Sequence, residues 1–135
     1  MANKKKYLVD TSVIIALFRG SEDAKQSLSS LKPGSAYICD ITMLEILTGC
    51  STSEKREAAI QSLDVFGLLL GSDSVSNKAI QLMKRYCVRR TGQPQMMLPD
   101  CLIASYSTCY DMTLLTFNQK DFEFIQEINL HPQSK

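Results

Sequence analysis

Four acidic residues stand where a carboxylate has to be accounted for. Asp10 is flanked by apolar runs, after Tyr7-Leu8-Val9 and ahead of Val13 to Phe18. An ionised carboxylate in that setting is costly unless it opens on a cleft, is paired, or binds a metal. The plainer reading makes it the N-cap of the helix that follows. Glu45 lies within Ile41 to Gly49 (ITMLEILTG). At about 3.6 residues per turn, Thr42, Glu45 and Gly49 share one face while Met43, Leu44, Ile46 and Leu47 cover much of the rest. Such a helix lacks an ordinary wet side, so its narrow polar stripe is expected to line a crevice. A solvated glutamate on an exposed stripe is the alternative. Asp100 follows Leu98-Pro99 and precedes Cys101-Leu102-Ile103-Ala104. The helix dipole favours an acid in a first turn whatever its role, but the apolar residues behind it point to a partly enclosed carboxylate. Asp121 comes three residues after Asn118, a spacing that also reads as a capping box. Asp111 and the Glu22/Asp23 pair sit in polar surroundings and read as surface charges.

Together these acids say more than they do singly. At least three fall at or just after the carboxyl ends of candidate strands. Three or four carboxylates gathered without histidine make an oxygen-rich site, which favours Mg²⁺ or Mn²⁺ over zinc. Carboxylates packed together repel unless a cation is present. Ions of this kind activate a water and neutralise charge on a phosphoryl oxygen, so metal-assisted phosphodiester or phosphomonoester hydrolysis is the reaction class that follows. Elimination supports it. The one histidine, His131, lies near the C-terminus, which excludes a His-rich zinc site and leaves a single imidazole for any Ser-His-Asp or Cys-His arrangement. The five cysteines, Cys39, Cys50, Cys87, Cys101 and Cys109, form no C-x-x-C pair. They read as small buried thiols in a reducing cytosol.

Fifteen Lys plus Arg against fourteen Asp plus Glu leave a net charge of +1, so global electrostatics name no partner. Locally, Lys84, Arg85, Arg89 and Arg90 group ahead of the loop leading to Asp100. They read either as a solvated helix face or as a guide for a phosphate backbone. Tyr86 and Phe117 are candidates for base stacking.

The elements that must position these residues follow from hydrophobic patterning. The 135 residues, 44% hydrophobic, suit one domain covering 1–135. The N-terminal segment resembles a signal peptide at a glance, but Asp10 cuts its apolar stretch and no small-x-small cleavage site follows Phe18. Its longest apolar run, Val13 to Phe18, is far short of the roughly 20 residues that span a bilayer. A cytoplasmic protein without a membrane segment is expected. Strands are expected at Tyr7–Val9, Ala36–Cys39, Leu68–Leu70, Met112–Leu115 and, as an edge, Ile128–Leu130. Helices are expected over Val13–Phe18, Glu22–Leu31, from Asp40 or Thr42 to Gly49, and Glu54–Phe66. Others should run from Ser72–Ser74 to near Gly92, from Pro99 to about Tyr110, and onward from Asn118. Gln93 to Met97 reads as a loop. The strands are continuous apolar runs alternating with helices, which indicates an α/β fold whose parallel sheet is covered on both faces. In such sheets the ligand crevice lies beyond the carboxyl ends of the strands.

At the four acids the sequence resembles the PIN-domain ribonucleases, and within them the VapC-type toxins of toxin–antitoxin pairs. The segments that carry the resemblance are YLVDTSVIIALF with Asp10, ITMLEILTG with Glu45, RRTGQPQMMLPDCLIAS with Asp100 and LLTFNQKDF with Asp121. They occur in the family's order and at roughly its spacing, over nearly the whole chain. The resemblance implies a three-layer α/β/α sandwich around a mostly parallel sheet of four to five strands. It implies an acidic pocket holding Mg²⁺ or Mn²⁺ with Asp10, Glu45 and Asp100 as core ligands. The fourth family position falls on Asn118 or Asp121; Asp121 is favoured, with Asn118 orienting a water or ligand. Thr11 or Ser12 would place a hydroxyl near the metal. Phe117 stands where relatives often carry a basic residue. The implied reaction is attack of a metal-activated water on an RNA phosphodiester, giving a 5′-phosphate and a free 3′-hydroxyl. Implied partners are a second copy of the chain in a homodimer and a small antitoxin covering the pocket. Competing readings are a PIN-like binding module without catalysis and a Mg²⁺-dependent phosphatase. The latter wants a second acid two residues after Asp10, where Ser12 stands.

Overall fold

The structure, a computed structural model, describes residues 4–87 and 96–135. The chain opens with β1 (Tyr7–Val9), α1 (Thr11–Phe18) and α2 (Glu22–Ser29). Next come β2 (Ala36–Cys39), α3 (Asp40–Thr48) and α4 (Ser53–Leu63), then β3 (Gly67–Leu69) and α5 (Asp73–Tyr86). It closes with α6 (Leu98–Cys109), β4 (Thr113–Leu115), a single 3₁₀ turn over Gln119–Asp121 and β5 (Asn129–Leu130). The five strands form one sheet in the order β3-β2-β1-β4-β5, and every pairing is parallel.

Strand alternation assigns the two faces of the sheet. Leu8, Cys39 and Leu114 point into a core shared with Val75 and Leu82 of α5 and with Ile103, Ala104 and Tyr106 of α6. Their neighbours Val9, Ile38 and Leu115 point the other way, onto Val13 and Ile14 of α1, Ala24 of α2, Ile46 of α3 and Leu63 of α4. Side chains that alternate across a pleat and are apolar on both sides demand a helical layer above and below. The expected three-layer α/β/α architecture follows. The central strands β1 and β4 are the most enclosed, and β4 is buried throughout. Phe122, without exposed surface, closes the α5/α6 core; truncating such a side chain costs about 3–5 kcal/mol.

The sheet order reverses at β1. The chain moves outward through β2 and β3, then returns to place β4 on the other side of β1. That reversal opens a crevice at the carboxyl ends of β1 and β4, where Asp10 and Thr116 stand. Glycine serves closer packing elsewhere: a Cβ at Gly67 would meet the Tyr37 ring, 2.5 Å from its Cε1. In the turn before β2, Gly34 takes φ of 80°, a conformation costly for residues with a Cβ.

Several expectations are corrected. No helix runs on from Asn118; only the 3₁₀ turn forms. The C-terminal residues pack on this segment, with Gln119 N–H donating to Lys135 O at 2.7 Å and Lys135 N–H to Thr116 O at 2.9 Å, while Gln119 O takes both Phe122 N–H and Glu123 N–H at 3.0 and 2.8 Å before the turn ends. Helix α4 stops at Leu63, because the chain must turn to bring Gly67 into the sheet. Helix α3 does have a wet side: Leu44 is 58% exposed, and Glu45 and Thr48 are exposed as well. Only Cys39 and Cys101 are buried; Cys50 is half-buried, Cys87 and Cys109 are exposed, and all five are free thiols. Helix α5 ends at Tyr86 and is capped by Cys87, short of the expected end near Gly92; most of the expected loop from Gln93 lies outside the described residues. Among the described residues no helix is long and apolar enough to cross a membrane.

Candidate active site

Asp10 follows β1 directly, and its backbone N–H continues the sheet by donating to Leu115 O at 2.9 Å. The residue is 3% exposed. It occupies the N-cap position of α1, but its side chain makes no capping bond. Its Oδ2 instead accepts hydrogen bonds from Ser12 Oγ at 2.6 Å and Thr116 Oγ1 at 2.8 Å. These hydroxyls are themselves fixed from behind. Ser12 Oγ accepts from Phe117 N–H at 3.0 Å, and Thr116 Oγ1 from Asn118 N–H at 2.9 Å. The loop after β4 thus clamps the carboxylate at the end of β1. Charge-assisted bonds of this kind are the strong ones.

Glu45 is held from the same strand end. Thr11 Oγ1 donates to Glu45 Oε1 at 2.8 Å and pairs with the buried Thr42 hydroxyl at 2.9 Å. Thr42, one turn before Glu45 on α3, has no exposed surface. The polar stripe expected on α3 therefore exists, and it faces Thr11 even though Glu45 itself reaches solvent.

Asp100 sits in the first turn of α6, with Pro99 at its start. Its carboxyl is pushed up from the ordinary 3.8 to about 7, first by burial and then by the negative charges of Asp121, Asp10 and Glu45. The other three candidate acids thus lie within electrostatic range of Asp100. Asp121 closes the 3₁₀ turn, and Asn118 caps nothing with its side chain, so the capping-box reading is set aside. Among the described residues, no three carboxylate, thiol or imidazole groups converge closely enough to share one ion as they stand. The donor set fits a hard divalent cation in charge and atom type.

The candidate substrate groups divide. Lys84 and Arg85 lie in the last turn of α5, whereas Arg89 and Arg90 lie outside the described residues. Arg85 is engaged elsewhere, with Gln126 Oε1 at 2.9 Å and Glu127 Oε1 at 3.5 Å. Tyr86 is also built into the packing: its hydroxyl donates to Glu127 and accepts from Gln126 N–H at 3.1 Å. Its ring meets Phe124 edge-on, so the stacking role expected of it is corrected. Phe117 keeps a half-buried ring beside a cavity of about 540 Å³ that Ser12, Arg19 and Asn118 also line.

Sequence reasoning missed Thr116, whose only signal was a hydroxyl residue at the end of an otherwise apolar segment.

A family model described as the PIN domain matches residues 7–127. Ribonuclease VapC10 of Mycobacterium tuberculosis is 30% identical over 122 residues, covering 90% of this chain and 89% of that protein. Ribonuclease VapC1 of Rickettsia felis is 32% identical over 131 residues, covering 91% and 92%. Among solved structures, a toxin–antitoxin complex from Klebsiella pneumoniae superposes with a TM-score of 0.78 at 26% identity, covering 96% of this chain and all of that one. VapC20 of Mycobacterium tuberculosis, described as a sarcin-ricin loop cleaving toxin, shares the fold with a TM-score of 0.71 at 17% identity, covering 94% and 100%. An acid-lined crevice at the reversal of a parallel sheet and these relatives lead to one conclusion: the chain belongs to the PIN-domain family, beside the VapC ribonucleases, a metal-dependent group.

Proposed function

We propose that this chain is a single-domain endoribonuclease dependent on Mg²⁺ or Mn²⁺, the toxin of a toxin–antitoxin pair, with Asp10, Glu45, Asp100 and Asp121 as its cation-holding acids. The observation that carries the reading is the Asp100 carboxyl, raised to about 7 by burial and by the three other acids. Natural sequences set such repulsion where a positive charge is meant to relieve it. When bound, a divalent cation supplies a counter-charge for the phosphoryl oxygen and a more acidic water.

The chain's own contribution is positional. Ser12 and Thr116 occupy Asp10 Oδ2 and leave Oδ1 without a hydrogen-bond partner among the described residues, available to a ligand. Thr11 restricts Glu45 through Oε1 in the same way. Asp100 gives up its proton near neutral pH once positive charge arrives beside it. The charge of Asp121 acts on Asp100 directly, which favours it over Asn118 as the fourth acid. Asn118 and Arg19, on the cavity beside Ser12, are placed to meet the substrate backbone. The products are a 5′-phosphate and a 3′-hydroxyl.

The protein acts in the cytoplasm as a homodimer, and a small antitoxin restrains it by covering the acids. Support for an antitoxin partner comes from the Klebsiella pneumoniae relative, whose structure is a toxin–antitoxin complex. The test is incubation of antitoxin-free protein with mixed structured RNAs in Mg²⁺ or Mn²⁺. Cleavage should stop in EDTA and in a folded Asp10→Asn variant. Cleavage that survives both overturns the reading, and so does its absence from the folded, metal-loaded wild type on total cellular RNA.

A further inference from the structure

The chain carries one more concentration of charge, at the opposite end of the sheet from the acids. Lys4, Lys5 and Lys6 lead into β1, and Lys32 lies in the turn that leads into β2. All four border one cavity of about 620 Å³, walled by Tyr7 and Tyr37 and lined by no acidic residue. All four lysines are exposed, and none forms an ion pair among the described residues. Against a whole-chain charge of +1, four ammonium groups without an ion pair around a single concavity are a strong local field, with Asp111 the one acid on the adjoining cavity that Lys4, Lys5 and Lys6 also border. Two are steered by aromatic faces: Lys5 Nζ lies 5.9 Å from the Tyr7 ring centroid and Lys6 Nζ 5.5 Å from that of Tyr37. Contacts of this kind hold flexible lysines over a surface rather than leaving them free in solvent. The field is felt nearby. His131, packed edge-on against Tyr7, has its pKa lowered by burial and by the Lys5 charge.

We propose that the concavity bordered by Lys4, Lys5, Lys6 and Lys32 is a second RNA contact, gripping the phosphate backbone of a structured substrate away from the bond that is cut. The inference rests on the ribonuclease reading for the identity of the polyanion. Lysines around an open concavity suit phosphate groups, which they bind as point charges without demanding a base sequence. The tyrosine walls offer faces on which a base or ribose rests. Geometry sets the size of the substrate. Lys6 and Asp10 bracket β1, so their backbones lie about 13 Å apart at about 3.3 Å per residue. Phosphates on one strand of an A-form RNA duplex advance about 3 Å per base pair along the axis, less than in duplex DNA. An RNA duplex that touches both ends of the sheet therefore spans at least about five base pairs, whereas a dinucleotide reaches only the acids. The contact selects longer RNA over dinucleotide debris.

The test uses a Lys5→Ala/Lys32→Ala double variant at exposed positions, its fold checked by thermal unfolding, with total transfer RNA as the probe. Binding in EDTA is measured against salt concentration. Each lost phosphate contact lowers the slope of log affinity on log salt by about 0.7–0.9, so the pair should lower it by about 1.5. In Mn²⁺, kcat/KM for the same RNA should fall about tenfold through KM with kcat unchanged, while cutting of a dinucleotide is unaffected. An unchanged slope overturns the proposal. So does an equal loss on the dinucleotide, or a loss of duplex DNA binding with RNA binding and cleavage untouched. If the wild type cuts no RNA, the ribonuclease reading fails by itself, and the salt slope in EDTA still decides whether this surface holds RNA.

Discussion

Replacing Asp100 with asparagine should stabilise the metal-free protein at alkaline pH, although it removes a group proposed to be essential. The unfolded carboxyl ionises near 3.8 and the folded one near 7. Between those values the folded chain holds a proton that the unfolded chain has lost, so stability falls as pH rises through the window. The penalty is absent below about 3.8 and complete above about 7. At about 1.4 kcal/mol for each pH unit, the ceiling is about 4 kcal/mol. Asp100 is only partly buried, and solvent screening brings this to about 2 kcal/mol. For a domain of this size that is about 6–10 °C in Tm. The assay is thermal unfolding of wild type and Asp100→Asn in EDTA at pH 8 and at pH 4.5. The variant should melt higher at pH 8, and the gap should shrink to about a fifth at pH 4.5, near the lower edge of the window. Saturating Mn²⁺ should raise the wild-type Tm and the variant's much less. A variant no more stable than wild type at pH 8, or a gap that ignores pH, would refute the idea that burial and the other acids raise the Asp100 carboxyl.

Three further outcomes can be checked on the same material. Thr116→Val removes a buried hydroxyl that bonds both Asp10 and Asn118 N–H; it should cost about 1–3 kcal/mol in urea unfolding and weaken metal binding. Gly67→Ala drives a Cβ into the Tyr37 ring and should cost about 1–3 kcal/mol, read from the same urea curves. A thiol reagent should label Cys87 and Cys109 quickly, while Cys39 and Cys101, whose thiols burial pushes up, react only on unfolding.

The sequence was most legible where hydrophobicity had a clear period. Strands β1 and β2 matched their expected bounds because apolar runs ended abruptly at Asp10 and Asp40. The parallel, doubly covered sheet followed from their two-sided apolarity. Local signals failed where distant chain decided the outcome. Asn118 to Asp121 has the composition of a helix start, yet the C-terminal residues pack on it and only a 3₁₀ turn forms. Asp10 has the position of a cap, yet its carboxylate is claimed by Thr116, 106 residues away. Tyr86 read as a free ring because the partner that holds it, Glu127, lies 41 residues on. The acids themselves stood out through their types and flanking residues. The Thr116 hydroxyl that orients Asp10 did not, since threonine in an apolar stretch is also an ordinary strand residue.

The most direct test of the four acids as one cation-holding cluster is a calorimetric Mn²⁺ titration at pH 7, repeated in buffers of different ionisation heat. One saturable site should appear in the wild type and vanish in Asp10→Asn, with about half a proton released per ion as Asp100 ionises. Absence of saturable binding, or an affinity that Asp10→Asn leaves unchanged, would contradict it.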